Sequence, residues 1–319
     1  MNIVTKSSLE NITELGSRPR CIVLMSSFNG EHFIVSQIES IINQRHVDVS
    51  LIVRDDGSND KTISILEDFK KKYPSLIDYY VGENIGISRS FADLIRKCPK
   101  TDYVAFADQD DVWDLDKLYI GIALLKKYSL SFYSSASRLV DQNLTDLKIT
   151  TSDEEKYKHY MFGNNKLLTP GVQGCTMIIR FSFFERVIAS RYPDYYGHDE
   201  WMTPVSYFFE EAIYDCDAHM SYRQHDNSWT GNRSKVISRF FKTFKSSVKY
   251  SKRYKQIAQD ILKRYSDSIK ENDKNILHCF SDKKPSFFKR NSFLRKNRIN
   301  KYGFFSNLLF KFAFIFSNK

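Results

Sequence analysis

Apolar positions along the chain fall alternately into short continuous runs and into helical spacings. Residues 21–28 (CIVLMSSF) form an apolar run that ends in Asn29-Gly30, a turn signal. Ile34, Ile38, Ile41 and Ile42 follow at the spacing of one helix face. A second run, residues 49–53 (VSLIV), gives way to Asp55-Asp56-Gly57-Ser58. Ile63, Leu66, Phe69 and Tyr73 then mark another helical face, with Ser58 or Asp60 available as its cap. Residues 76–81 read as a third strand, and Phe91, Leu94 and Ile95 as a third helix. The run 103–107 (YVAFA) is a fourth strand that enters Asp108-Gln109-Asp110-Asp111 directly, and Leu115, Leu118, Ile122 and Leu125 supply the next helix.

This rhythm predicts βαβ units with right-handed crossovers and an α/β fold whose central sheet is mostly parallel. Runs apolar on both faces suit a sheet covered by helices on each side. Ligands gather beyond the carboxyl ends of such strands, where the polar clusters at 27–30, 55–58 and 108–111 fall. After residue 130 the alternation loosens. Residues 132–135 and 176–180 read as strands and 141–170 as a polar, loop-rich stretch. Trp201, Val205, Phe208 and Phe209 read as a helix beginning just after His198-Asp199-Glu200.

Composition adds a boundary. Residues 231–319 hold 23 Lys and Arg against 5 Asp and Glu, whereas residues 1–230 are net acidic. The expected organisation is therefore an N-terminal extension (1–19), a nucleotide-binding domain (20–230) and a basic, helical C-terminal region (231–319). With 42% apolar residues a large core is available, which excludes global disorder. Five scattered cysteines without a C-x-x-C pair argue against a disulfide framework and a cysteine zinc site. No run of about 18 uncharged apolar residues predicts a membrane span, and no apolar leader predicts secretion. The expected location is cytoplasmic.

Three acids, Asp108, Asp110 and Asp111, crowd the end of a buried strand, where their repulsion calls for a cation. Carboxylates completed by phosphate and water suit Mg²⁺ or Mn²⁺ on a diphosphate. Taken alone, the cluster is equally compatible with a solvated acidic turn capping the next helix. Asp55-Asp56-Gly57-Ser58 suits either a helix-capping turn or carboxylates that bind a nucleobase imide or ribose. Asn84-Ile85-Gly86 and Arg89 are either phosphate contacts at a helix N-terminus or ordinary surface positions. His198-Asp199-Glu200 offers a general base or ordinary N-terminal helix charge. His225 offers a metal ligand or a hydrogen-bonded histidine.

In this order, SSFNG (26–30), RDDGSND (54–60), ENIGISRS (83–90), FADQDDVW (106–113), GVQGCTMIIR (171–180), HDEW (198–201) and YRQH (222–225) resemble the family 2 glycosyltransferases of the GT-A fold, particularly rhamnosyltransferase-like members. The resemblance covers about residues 20–230. It implies an inverting transfer from a nucleoside-diphosphate sugar, dTDP-rhamnose or a UDP-hexose, to a hydroxyl of a glycan or lipid-linked glycan acceptor in bacterial surface polysaccharide synthesis. Ser26, Phe28 and Asp56 would line the base, Arg89 would approach the phosphates and Asp108 the sugar or ribose. Asp110 and Asp111 would hold Mn²⁺ or Mg²⁺, with His225 as a further ligand, and Asp199 would be the catalytic base. The family's commonest pair before that helix is Glu-Asp, so His198 has no role carried over.

The basic region with its aromatic-rich end (304–316) suits an anionic membrane surface, placing the enzyme peripherally on the inner face of the cell membrane. Packing of these helices on the domain is the alternative. A nucleotidyltransferase would show a Gly-rich phosphate loop, which SSFNG is not. A glycoside hydrolase leaves the strand-end clusters unexplained. A nucleic-acid-binding protein working through the basic tail would show a recognised module, and none stands out; the acidic body would also repel a polyanion, so no nucleic-acid partner is expected. A catalytically inactive glycan-binding relative is the further alternative, which sugar-nucleotide turnover separates from an enzyme.

Overall fold

The computed structural model describes residues 1–5, 17–169, 171–189, 192–224, 252–281, 287–303, 307–308 and 310–311. The apolar runs become strands β1 (Asn2–Val4), β2 (Arg20–Ser27), β3 (Asp48–Asp55), β4 (Ile77–Val81), β5 (Tyr103–Asp108), β6 (Val112–Trp113), β7 (Phe132–Val140), β8 (Asp146–Thr150), β9 (Ile178–Arg180) and β10 (Ala212–Arg223). The helical faces become α1 (Ile34–Ile42), α2 (Thr62–Lys72), α3 (Ile87–Lys97), α4 (Lys117–Lys127), α5 (Glu154–Met161), α6 (Phe181–Ala189) and α7 (His198–Phe208). Residues 252–265 form a further helix, α8, followed by α9 (Glu271–Ser281) and α10 (Phe287–Lys296).

All the strands join one sheet with the order β1-β10-β7-β9-β5-β2-β3-β4; β6 pairs with β10 and β8 with β7. The pairs β2–β3, β2–β5, β3–β4, β7–β10 and β1–β10 are parallel. β9 lies antiparallel between β5 and β7. The expected α/β fold with a mostly parallel sheet is thus what forms.

β2 and β5 are apolar on both faces because each face has its own helical layer. Ile22, Leu24, Val104 and Phe106 pack with residues of α3, α5, α6, α7, α8 and α9. Val23, Met25, Ala105 and Ala107 face residues of α1 and α4 on the other side. Full burial of each large apolar side chain contributes about 1.5–3 kcal/mol, so both layers hold the central strands in register. That register sets Ser26 beside both Arg54 and Asp108, aligning the functional strand ends.

Several boundaries differ from the sequence reading. β1 lies in the stretch read as an N-terminal extension and adds an edge strand beside β10. Residues 141–170 are not loop-rich: they carry β8, α5 and a 3-10 turn at Gly163–Leu168. The amphipathic signal of α5 is weak because its buried Tyr157 and Tyr160 carry hydroxyls amid charged neighbours. α7 starts at His198 itself, so His198-Asp199-Glu200 form its first turn rather than precede it. Tyr254, Ile257, Ala258, Ile261, Ile276, Leu277 and Phe280 of the basic region are buried in the same core as β5. Among the described residues no helix is long and apolar enough to cross a membrane.

Candidate active site

Loops at the carboxyl ends of β2, β3 and β5 are tied to one another by side-chain bonds to backbone. Gln109 holds both backbone groups of Phe28, accepting from its N–H at 2.9 Å and donating to its C=O at 3.0 Å. Gly30 leaves room for this: a Cβ there would come within 2.3 Å of Gln109 Oε1. The Asn29 amide donates to Ser58 Oγ at 2.8 Å, and the Asn59 amide donates to Asn29 Oδ1 at 2.9 Å. Asp55 accepts hydroxyl bonds from Ser27 at 2.8 Å and from Ser58 at 2.7 Å.

Asp56 is buried and paired with Arg54. It also accepts the amides of Ile85 at 3.0 Å and Gly86 at 2.8 Å, so one carboxylate fixes the loop before α3. Gly86, at φ +82°, begins that helix in a conformation that favours glycine. Ser26 Oγ lies 2.6 Å from Ser90 Oγ. Phe28 is 41% exposed, a ring presented to solvent beside the cleft. Arg89, in the first turn of α3, is exposed.

The acid turn is built differently. Donor atoms of Asp108, Asp111 and Cys175 lie within 4.8 Å of one another. Asp111 is fully buried; Oδ1 accepts the Arg223 amide at 3.2 Å, while Oδ2 has no hydrogen-bond partner among the described residues. Burial, reinforced by the charges of Asp110 and Asp199, pushes Asp108 up to about 7. Burial and then Asp108 and Asp110 push Asp111 well up. The Cys175 thiol is held far above its ordinary value by burial and by both carboxylates, so it stays protonated. Arg223 clamps the turn from β10: Nε donates to the Asp110 carbonyl at 2.7 Å, Nη1 donates to the Gln142 carbonyl, and the guanidinium lies 4.8 Å from the Phe33 ring.

Asp199 is half-buried, and burial pushes it up to about 6, with Glu200 adding to the rise. Its Oδ1 accepts the Glu200 amide at 2.8 Å. A Cβ at Gly197 would approach that oxygen to 2.6 Å, which accounts for glycine there. His198 is not a second base. Its ring stacks on Phe106 at 4.5 Å and lies 4.2 Å from Phe91. Burial drives it down to about 3, leaving a neutral ring that packs under the acid turn. Gly174 provides the space, since a Cβ there would meet His198 Nε2 at 2.2 Å.

Ser26, Asp108, Asp111 and Asp199 are therefore gathered at one end of the sheet, with Asp110 next in the turn and Asp56 one strand away. Arg89 is exposed in the first turn of α3, and among the described residues no hydrogen bond or ion pair ties it to the other site residues. His225 lies outside the described residues. Sequence reasoning passed over Cys175, Arg223 and Lys117. Lys117 is completely buried, with Nζ 3.5 Å from the centre of the Trp113 ring. The motifs GVQGC and YRQH contained Cys175 and Arg223, but no local spacing distinguishes a buried clamp from a surface residue. The chemistry of the assembly is that of clustered carboxylates suited to a hard cation beside an isolated, raised-pKa carboxylate.

Residues 22–188 match the sequence profile described as Glycosyl transferase family 2. A dTDP-rhamnosyl transferase, RfbG of Shigella flexneri, is 30% identical over 218 residues, covering 65% of this chain and 73% of that protein. The UDP-Glc:alpha-D-GlcNAc-diphosphoundecaprenol beta-1,3-glucosyltransferase WfgD of Escherichia coli is 26% identical, covering 68% of this chain and 82% of that one. Among solved structures, S. aureus TarS 1-349 in complex with UDP-GlcNAc aligns over 92% of this chain and 79% of its own, with TM-score 0.56 and 16% identity. A mannosyltransferase of Pyrobaculum calidifontis in complex with GDP-Man and Mn²⁺ aligns over 82% and 69%, with TM-score 0.53 and 16% identity.

Proposed function

Because the chain belongs to glycosyl transferase family 2, we propose that it moves a sugar, with inversion, from a nucleoside diphosphate to an acceptor hydroxyl during bacterial surface polysaccharide synthesis. One observation carries the reading: Asp108 and Asp111 stand together at the end of β5, close enough to Asp199 for its charge to be felt at Asp108. One half-buried and one fully buried carboxylate, both raised by burial and mutual repulsion, are what a divalent cation relieves. The donor set fits Mn²⁺ or Mg²⁺, offering hard carboxylate oxygens, including the unpartnered Oδ2 of Asp111. Asp108 and Asp111 would hold the ion, with the adjacent Asp110 and the sequence-predicted His225 completing the set, while the protonated Cys175 thiol packs beside the two carboxylates and stays outside the set. When bound, the ion stabilises the charge that develops on the departing diphosphate.

The remaining work falls to the chain's own residues. Asp199 is the base: its carboxylate takes the acceptor hydroxyl proton as that oxygen attacks the anomeric carbon, and the bond to the diphosphate breaks. Burial suits the role, because a carboxylate raised to about 6 is a stronger base than an exposed one. Asp56, Ser26 and Phe28 form the base side of the donor cleft, and Arg89 approaches the phosphates from the start of α3. Donors with a thymine or uracil imide suit Asp56; the Shigella relative is named for dTDP-rhamnose and the E. coli relative for UDP-Glc.

The E. coli relative is also named for a diphosphoundecaprenol-linked acceptor. A lipid-linked glycan acceptor fits this chain, with exposed lysines of the basic region bringing the enzyme to an anionic membrane from the cytoplasmic side. Full-length protein should float with anionic vesicles at low salt and not with zwitterionic ones; equal flotation with both, or with neither, overturns the membrane arm. For the reaction itself, Asp199→Asn should lower transfer about 10²–10⁴-fold while nucleotide binding stays within twofold. Wild-type turnover in that variant would show that the base lies elsewhere.

A further inference from the structure

Glu200 follows Asp199 directly, and its carboxylate is gripped from the C-terminal region. Arg253, in α8, donates from Nε to Glu200 Oε1 and from Nη2 to Glu200 Oε2, each at 2.7 Å. The same Nη2 donates to the Tyr195 carbonyl at 2.7 Å, and the guanidinium lies 4.1 Å from the Tyr196 ring centre. A two-pronged Arg–carboxylate pair fixes direction as well as distance. It therefore joins α8 to both sides of Gly197: the loop that leads into α7 and the first turn of α7 itself. Asp199 sits between these two anchors, its Oδ1 held by the Glu200 amide and closely flanked by Gly197.

We propose that Arg253 is a positioning residue for the catalytic base, and that the basic C-terminal region is in this way a working part of the catalytic unit rather than only a surface for membrane contact. This rests on the reading of Asp199 as the base. Arg253 acts through Glu200 in two ways. It locks the turn whose amide orients the Asp199 carboxylate, and it balances the Glu200 charge that otherwise disfavours ionised Asp199. A neighbouring arginine on the same helix supplies the control. Arg264 binds Asp260 Oδ1 at 2.5 Å, Asp260 accepts the Tyr195 and Tyr196 hydroxyls at 2.5 Å and 2.9 Å, and the Arg264 guanidinium lies 5.6 Å from the Trp201 ring, so it braces α8 against the same loop through Asp260 rather than through Glu200.

The test compares full-length wild type, Arg253→Met, Arg253→Lys, Glu200→Gln, the Glu200→Gln/Arg253→Met double variant and Arg264→Met. Misplacing a catalytic group by about 1 Å costs on the order of 10²-fold, so Arg253→Met should lose roughly 10–100-fold in kcat with donor KM within twofold. Arg253→Lys should recover part of that loss, and the double variant should be no slower than the slower single one. Independently of turnover, hydrogen exchange at the amides of residues 199–202 should quicken at least tenfold in Arg253→Met and not in Arg264→Met. Unchanged exchange, kcat within twofold of wild type, or the same pattern in Arg264→Met overturns the inference. Full turnover by Asp199→Asn would instead sink the assignment of the base, while the exchange result would still report whether Arg253 holds the turn.

Discussion

Arg223 and Asp111 meet across 112 residues of sequence, the amide of one donating to Oδ1 of the other at 3.2 Å. The Arg223 side chain completes the grip by taking the Asp110 carbonyl at 2.7 Å. The acid turn is thus held from β10, on the far side of the sheet order from β5. Groups that orient metal-binding residues typically matter about 10–100-fold for metal affinity. Arg223→Ala should therefore weaken Mn²⁺ binding by that factor, as read by calorimetric titration. Asp111 keeps its backbone bond in this variant, so the protein should remain folded. Unchanged affinity would mean that the turn needs no clamp.

Asp199 predicts a pH profile. Its carboxyl is pushed up to about 6, chiefly by burial, and a base must be ionised to accept a proton. At saturating metal, log kcat/KM should be level above that value and fall by one for each pH unit below it. An ordinary exposed aspartate would keep the profile level to about pH 4. The sign for stability is the reverse: a folded value above the unfolded one means that ionised Asp199 opposes folding as pH rises from about 4 to 6. Asp199→Asn should accordingly be at least as stable as wild type at pH 7. A less stable variant, or a level profile to pH 4, would contradict the burial argument.

Lys117 carries a cost of the same kind. Burial pushes its ammonium down to about 8, and Nζ has no hydrogen-bond partner among the described residues. The unfolded chain binds the proton more tightly, so stability should rise with pH between about 8 and 10.5. At pH 7 the charged form is fully penalised. Lys117→Met, of similar volume, should gain about 1–3 kcal/mol in urea unfolding. A loss of that size would show that the contact with the Trp113 ring outweighs desolvation.

Much of the nucleotide-binding half was legible because its signals are local. β2, β3 and β5 hold clear apolar runs, and each ends at the polar cluster that the parallel topology requires. Asp108, Asp111 and Asp199 are candidates for the same reason, each adjoining a clear strand or helix boundary, but the family resemblance sets Asp108 apart for the sugar or ribose, whereas its carboxylate lies with that of Asp111. β10 was not legible. Its sequence, AIYDCDAHMSYR, interrupts the apolar pattern with Asp215, Asp217 and His219. Asp215 is nevertheless buried, accepting the Tyr133 hydroxyl at 3.0 Å and lying 2.9 Å from His219 Nε2. Arg253 was hidden similarly. Its partner Glu200 is 53 residues away, so the arginine read as one more charge in a basic surface region. Residues that hold a site from a distance leave no period or spacing to find.

If the carboxylates at the end of β5 hold a cation against a diphosphate, nucleotide binding must depend on the ion and on Asp111. Titration of UDP and dTDP into wild type and Asp111→Asn, each with Mn²⁺ and with a chelator, tests this directly. The expected result is at least tenfold tighter nucleotide binding with Mn²⁺ in wild type and no metal effect in the variant. Equal binding with and without the ion in wild type, or an undiminished metal effect in Asp111→Asn, would contradict it.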